Sequence, residues 1–247
     1  MNLLIDFGNT RLKWASAEAD GFALRGTFAH ADLPLAHALR EQWQALAQPS
    51  RVLVASVVDT AREAVLTQVV RERFGLAAQF LRSPANALGV RNAYGEPARL
   101  GIDRFLAMAS AHARHPRVQV LVSVGTALTI DGLLADGEHA GGLIVPGPAL
   151  MRRAVTAGTA RVDAEHGCYR DWPNSTADAV VSGALQAAAG AVERLRCALA
   201  RRVELEPALV VSGGGADELL PLLDQAERAH DLVLHGLALW ARQMPPA

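Results

Sequence analysis

The sequence predicts an α/β chain of two duplicated halves, each a mixed sheet that opens with three antiparallel strands and is flanked by helices. Three observations lead there. Short apolar runs of strand length alternate with longer segments of helical spacing, the pattern of layered α/β proteins. The order βββαβαβ, a loop and a helix is followed by a second series that again begins βββ. The two opening hairpins also carry related turns, Gly8-Asn9-Thr10 and Gly125-Thr126, at matching places. The division falls near Arg114–Val118, giving domains 1–116 and 117–247.

Each element has its own signal. Leu3–Phe7 reads as a buried strand, and Arg11–Ala15 alternates as a half-buried return strand should. A third strand covers Ala23–Phe28. Leu33–Ala47 has helical spacing through Leu35, Leu39, Trp43 and Leu46. Strand Arg51–Val57, helix Ala61–Phe74 and strand Ala78–Leu81 follow. Ser83–Arg99, with its Pro, Asn and Gly, reads as a long loop of the kind that is usually functional or disordered. Leu100–Ala113 returns to helical spacing until His115-Pro116 ends it. The second series is strands Gln119–Val124, Ala127–Leu134 and Glu138–Val145, then a helix over Pro146–Thr156. An irregular stretch, Gly158–Pro173, leads to a long Ala-rich helix, Thr176–Arg202. Strand Ala208–Ser212, helix Ala216–Asp224, strand Asp231–Leu234 and helix Gly236–Gln243 close the chain.

Composition narrows the function. The 247 residues are 51% hydrophobic, enough for a substantial core. Lys and Arg number 24 against 25 Asp and Glu, which argues against a nucleic-acid binder working by bulk charge. Two cysteines without a CxxC signal neither zinc nor a disulfide framework. The first run is a strand reaching Asp6, not a leader or a membrane span, so a cytoplasmic chain without membrane contact is expected. Neither GxxxxGK[ST] nor a strand-linked GxGxxG is present, and His112-x-x-His115 reads as ordinary helix surface.

Four segments can carry chemistry. In Asp6-Phe7-Gly8-Asn9-Thr10-Arg11-Leu12-Lys13, a carboxylate at the end of a buried strand is costly unless it meets a cation. Asp6 therefore suggests a Mg2+ site reached through water. Gly8 permits close backbone approach, and the amides of Asn9 and Thr10 can line an anion cradle. Lys13 is the one lysine among 24 basic residues, which marks a place where a compact ammonium suits better than a planar fork. Asp and Asn are also ordinary turn formers, so this hairpin alone decides nothing. Gly125-Thr126, in Val124–Asp131, repeats the device in the second half, and two such hairpins can clamp a nucleotide's phosphates. In Tyr94–Arg104, Asp103 and Arg104 sit in a first helical turn, where the positive helix end keeps Asp103 ionised, as a base for a hydroxyl must be. Arg104 can hold a carboxylate bidentately. The glycine turns at Ser212–Asp217 and Gly141–Gly147 would let a flat adenosine approach the backbone.

With these residues in view, the chain resembles the type III pantothenate kinases, relatives of actin, sugar kinases and acetate kinase. The resemblance rests on DFGNTRLK at 6–13, YxxPxxLGxDR at 94–104, GTALTID at 125–131, GGLIVPG at 141–147 and STADAVVSG at 175–183. It implies two actin-like (ribonuclease H-like) domains and ATP-dependent phosphorylation of the terminal hydroxyl of pantothenate, the first step of coenzyme A synthesis. It implies Asp103 as general base and Asp6, Phe7, Gly8, Asn9, Thr10, Arg11, Leu12 and Lys13 around the ATP phosphates and Mg2+. Gly125 and Thr126 would face ATP, while Tyr94, Gly101, Ile102, Asp103, Arg104 and Thr176 would contact pantothenate. It further implies a homodimer and a K+ or NH4+ requirement. Many members place a cation-binding aspartate two residues before the second-hairpin glycine; here that position is Ser123, a poorer cation ligand. Two other readings stay open: a kinase of the same fold for another small alcohol such as a sugar, and a nucleotide-binding regulatory or accessory protein without turnover.

Overall fold

The apolar N-terminal run forms β1 (Asn2–Phe7), which turns back into β2 (Arg11–Glu18) and then β3 (Gly21–Ala29). The computed structural model describes residues 1–18, 21–30, 34–160, 162 and 166–244. β1 also pairs in parallel with β4 (Arg51–Ser56), and β4 with β5 (Ala78–Phe80), so the sheet runs β3-β2-β1-β4-β5. Period-two alternation sorts its faces. Leu3, Ile5 and Phe7, with Val52 and Val54, meet Leu66, Val69, Val70 and Phe74 of α2 (Thr60–Phe74). Each such fully buried side chain contributes about 1.5–3 kcal/mol. α2 starts where the Asp59 carboxylate accepts the Arg62 N–H and stops at Gly75, whose φ of 66° a side chain would resist. α1 (Leu35–Gln42) packs against α2.

The other face receives α3 (Ile102–Arg114) and the closing helix α7 (Leu232–Gln243), which pack on each other and on β4. Their approach is close: a Cβ at Gly236 would collide with the Leu106 carbonyl. The chain thus divides into one unit of Met1–Arg114 plus the closing helix and a second unit of His115–Asp231. The closing helix, expected with the second half, belongs to the first. Its apolar positions Leu234, Leu237, Ala238 and Ala241 are buried there.

The second unit repeats the sheet. β8 (Gln119–Val124), β9 (Ala127–Leu133) and β10 (His139–Pro146) are antiparallel, and β11 (Ala208–Ser212) and β12 (Ala226–Arg228) add in parallel, in the order β10-β9-β8-β11-β12. α5 (Thr176–Val203) lays Val181, Leu185, Ala188 and Val192 against Val120, Val122, Leu128 and Ile130.

Several expected elements differ in detail. The loop 83–99 contains a small hairpin, β6 (Asn86–Ala87) with β7 (Val90–Arg91). The expected strand at Asp231–Leu234 is the start of α7, and the last strand is 226–228. An apolar run of three, Leu232–Leu234, cannot by itself separate strand from helix, and here Leu237 and Ala241 continue the helical spacing. The helix expected over 216–224 is α6 (Ala216–Leu219) and a 3-10 turn at Leu220–Leu222, because Pro221 lacks the N–H that would extend it. α4 runs Pro148–Gly158, with β10 extending through Pro146 before it. Leu33, placed at the start of the first helix, lies outside the described residues.

Candidate active site

Asp6 and Lys13 stand directly opposite each other across β1 and β2, both half-buried. Cross-strand partners share a face, so carboxylate and ammonium project together. The next pair, Phe7 and Leu12, points the other way and is fully buried, which roots the hairpin in the core. Between them lie Gly8, Asn9, Thr10 and Arg11. The Gly8 N–H donates to the Arg11 carbonyl at 3.1 Å. His30, at the end of β3 and only 3% exposed, closes this loop twice. Its backbone N–H donates to the Thr10 carbonyl at 3.1 Å, and its Nε2 lies 2.8 Å from the Gly8 carbonyl. A carbonyl only accepts, so Nε2 carries the hydrogen. The ring stands edge-on to Phe7 with centroids 5.1 Å apart.

The segment from Tyr94 to Arg104 ends at the start of α3. The Gly101 carbonyl accepts the Phe105 N–H at 3.1 Å, and the Asp103 carboxylate folds back to accept the Arg104 N–H at 2.8 Å. A Cβ at position 101 would press on Asp103 Oδ1, so a larger residue there would push the carboxylate aside. Ile102 is buried as the helix's root, while Asp103 stays half-exposed. Arg104 is 5% exposed, donates from Nη1 to the Tyr94 hydroxyl at 3.0 Å and lies over the Tyr94 ring. Tyr94 is held in turn by Asn92, whose Oδ1 accepts the Tyr94 N–H at 3.0 Å. His112, on the same helix, packs beneath Gly89 of the small hairpin, where a Cβ would press on its ring.

The second unit carries the other hairpin. Gly125 and Thr126 are exposed at its tip, and the Gly125 N–H donates to the Ala127 carbonyl at 3.0 Å. Glycines crowd its base. The Gly147 N–H donates to the Thr126 carbonyl at 2.9 Å, and the Gly215 N–H to the Val124 carbonyl at 3.0 Å. A Cβ on Gly147 would strike the Gly125 carbonyl, and one on Gly213, at φ 94°, the Val124 backbone. Ser123 registers with Thr129 on one side and Ser212 on the other, so its strand neighbours offer neutral hydroxyls. Asp131 is buried at 3% exposure, with its carboxylate 2.9 Å from His139 Nε2.

Thr176 opens α5 behind its cap Ser175 and lines an apolar groove of about 490 Å3 with Met151, Val155, Val162, Val180 and Ala184. The Asp178 carboxylate in this first turn accepts the Cys168 N–H at 2.8 Å and the Arg170 Nε–H at 3.3 Å. The Cys168 amide, with help from Ser175 and Arg170, holds Asp178 below the usual carboxylate range.

The charged residues stand out in the sequence, and their supports do not. His30 and Asn92 carried no motif. The one available signal was the Asn92-x-Tyr94 spacing, since Asn commonly accepts the N–H two residues on.

Comparison with known proteins decides the family. The sequence profile of type III pantothenate kinase matches residues 2–198. This chain belongs to the type III pantothenate kinase family. Curated members include those of Laribacter hongkongensis, 40% identical over 249 residues with 98% of this chain and 99% of that one covered, and of Thiobacillus denitrificans, 39% identical over 241 residues with 97% and 96% covered. The Nitrosospira multiformis member is 36% identical over 242 residues, covering 98% and 91%. Among solved structures, a Campylobacter jejuni protein described as a Baf family transcriptional activator superposes with a TM-score of 0.60 at 19% identity, covering 95% of this chain and 94% of that one. The PilM-PilN type IV pilus complex gives 0.52 at 14%, covering 98% and 99%. At such identity these show the fold alone, which is the duplicated actin-like arrangement. Membership makes this pantothenate kinase relative a phosphotransferase. No helix among the described residues is long and apolar enough to cross a membrane.

Proposed function

We propose that this protein transfers the γ-phosphoryl group of ATP to the terminal hydroxyl of pantothenate, with Asp103 as general base. The observation that carries the reading is the start of α3, where a half-exposed carboxylate adjoins a buried guanidinium already engaged by Tyr94. Arg104 suits the pantothenate carboxylate, which favours this acceptor over a neutral sugar. As the acceptor oxygen bonds to the γ-phosphorus and the bond to ADP breaks, the hydroxyl proton passes to Asp103. Asp103 stands in the first turn of α3, where the positive helix end favours a negative side chain. Lys13 and the amides of the first hairpin bind the phosphates of ATP, with Gly125 and Thr126 supplying neutral contacts and Thr176 meeting pantothenate.

Asp6 fits a Mg2+ ion that arrives with ATP. No group of three or more His, Cys, Asp or Glu side chains among the described residues could hold a metal by itself. Mg2+ suits a single carboxylate, because it keeps waters and phosphate oxygens as its remaining ligands. When bound it neutralises phosphate charge. Ser123 and its strand neighbours Thr129 and Ser212 offer neutral hydroxyls, poorer ligands for K+ or NH4+ than a carboxylate. A cytoplasmic homodimer completes the reading, favoured by the small residues of α5 and the exposed Leu143, Ile144 and Val155.

An assay of phosphopantothenate formation tests it. Asp103→Asn should lower kcat by about a hundredfold to ten-thousandfold with an unchanged melting curve. Full activity in that variant removes Asp103 from the mechanism. ATP binding without phosphopantothenate in the unaltered protein would favour the regulatory reading. Sedimentation at the mass of one chain would remove the dimer.

A further inference from the structure

We infer that Asn92 is a positioning residue for the acceptor site, the side chain that sets where Tyr94 and, through it, Arg104 stand. This rests on the kinase reading above. The loop between β5 and α3 has almost no regular structure to hold it, only the two-residue strands β6 and β7 and a 3-10 turn at Pro97–Arg99. Ser83 pins its ends together, its hydroxyl donating to the Leu100 carbonyl at 2.8 Å from a position 4% exposed.

Inside those ends, Asn92 does the gathering. Its Nδ2 donates to the Pro84 carbonyl at 3.2 Å and the Pro97 carbonyl at 3.0 Å, and its Oδ1 accepts the Tyr94 N–H at 3.0 Å. Its own N–H donates to the Ala85 carbonyl at 2.8 Å. Both amide hydrogens are used, and one side chain ties three points of the loop that no strand ladder joins. The partners leave no choice of orientation. Two carbonyls demand the NH2 and one N–H demands the oxygen. Aspartate, of the same shape, would set an oxygen against two carbonyls, and glutamine is one carbon too long.

The chain of contacts then reaches the substrate. Asn92 fixes the Tyr94 backbone, the Tyr94 hydroxyl accepts from Arg104 Nη1 at 3.0 Å, and the guanidinium lies over the same ring. Two contacts from one tyrosine orient the buried cation proposed to receive the acceptor's carboxylate. A loop displaced at residue 94 therefore misdirects Arg104 without touching the phosphate hairpins. The effect is specific to the acceptor.

The test compares Asn92→Asp and Asn92→Ala in the full-length protein, measuring KM for pantothenate and for ATP, with melting curves as a folding control. The pantothenate KM should rise by about tenfold, the worth of one to two hydrogen bonds, while the ATP KM stays put. In a Tyr94→Phe background the further loss from Asn92→Ala should shrink, because the two residues act in series. Equal rises in both KM values, no change in either, or full additivity with Tyr94→Phe would overturn the proposal. If the unaltered protein does not phosphorylate pantothenate, the kinase reading fails by that result. Asn92 is then judged by amide hydrogen exchange: Asn92→Ala should speed exchange at Tyr94 and at 99–100 while α2 is unaffected, and unchanged exchange there would refute it.

Discussion

The β1–β2 hairpin crosses four residues between Phe7 and Leu12, and the β8–β9 hairpin crosses three between Val124 and Leu128. Both sit at the same place in sheets of the same order, yet they are held differently. The first is closed by a side chain, His30, and rooted by Phe7 and Leu12. The second is closed by backbone, with Gly147, Gly213 and Gly215 brought so near that a Cβ would collide. Their chemistry diverges one pair further in. Where the first hairpin sets Asp6 opposite Lys13, the second sets Ser123 opposite Thr129. The duplication supplied two hairpins, and only the first faces a carboxylate with an ammonium at this pair.

Making the first hairpin like the second should have the largest effect. Lys13→Thr should lower kcat/KM for ATP by about tenfold to a hundredfold, with the pantothenate KM little changed. An unaltered ATP dependence would place the phosphate charge elsewhere. Next comes the backbone closure. Gly213→Ala, which adds a Cβ at positive φ against Val124, should cost about 1–3 kcal/mol in denaturant unfolding. Gly8→Ala, whose Cβ would stand 3.3 Å from the Arg11 carbonyl, should cost less. Equal losses would mean that the two loops are equally tight. Replacing the side-chain closure, His30→Leu should raise the ATP KM by about fivefold, and a rise for pantothenate instead would remove His30 from the phosphate loop.

The smallest effect is expected at the start of α5. Asp178 is held below its ordinary range by the Cys168 amide, so its contribution to stability is complete above the unfolded carboxyl value. It fades as pH falls through the lower folded value. Asp178→Asn should flatten that part of the acid unfolding curve, and an identical curve would show the contact to be inert.

Much of the fold was legible because burial imposes period on sequence. Leu3, Ile5 and Phe7 alternate, and Leu66, Val69, Val70 and Phe74 recur at helical spacing, so strand and helix could be told apart. The charged candidate residues stand out for a related reason: Asp6 at the end of an apolar strand and Asp103 in a first helical turn are conspicuous where they stand. The short run at 231–234 was not legible, since its three apolar residues satisfy either period. Nor was the return of the closing helix to the first unit, which depends on Gly236 meeting the Leu106 carbonyl across more than a hundred residues.

By itself, then, the sequence determined the two-fold alternation of elements, the paired hairpins and the charges placed on one of them, because these are local properties of adjacent residues. Tertiary structure alone decided that His30 closes the first hairpin, that Gly147, Gly213 and Gly215 close the second, and that Asn92 gathers the loop behind Arg104. Those are hydrogen bonds and close approaches between segments distant in the chain or within an irregular loop. No periodicity announces such contacts, since a single polar side chain acquires its partners only when the fold delivers them.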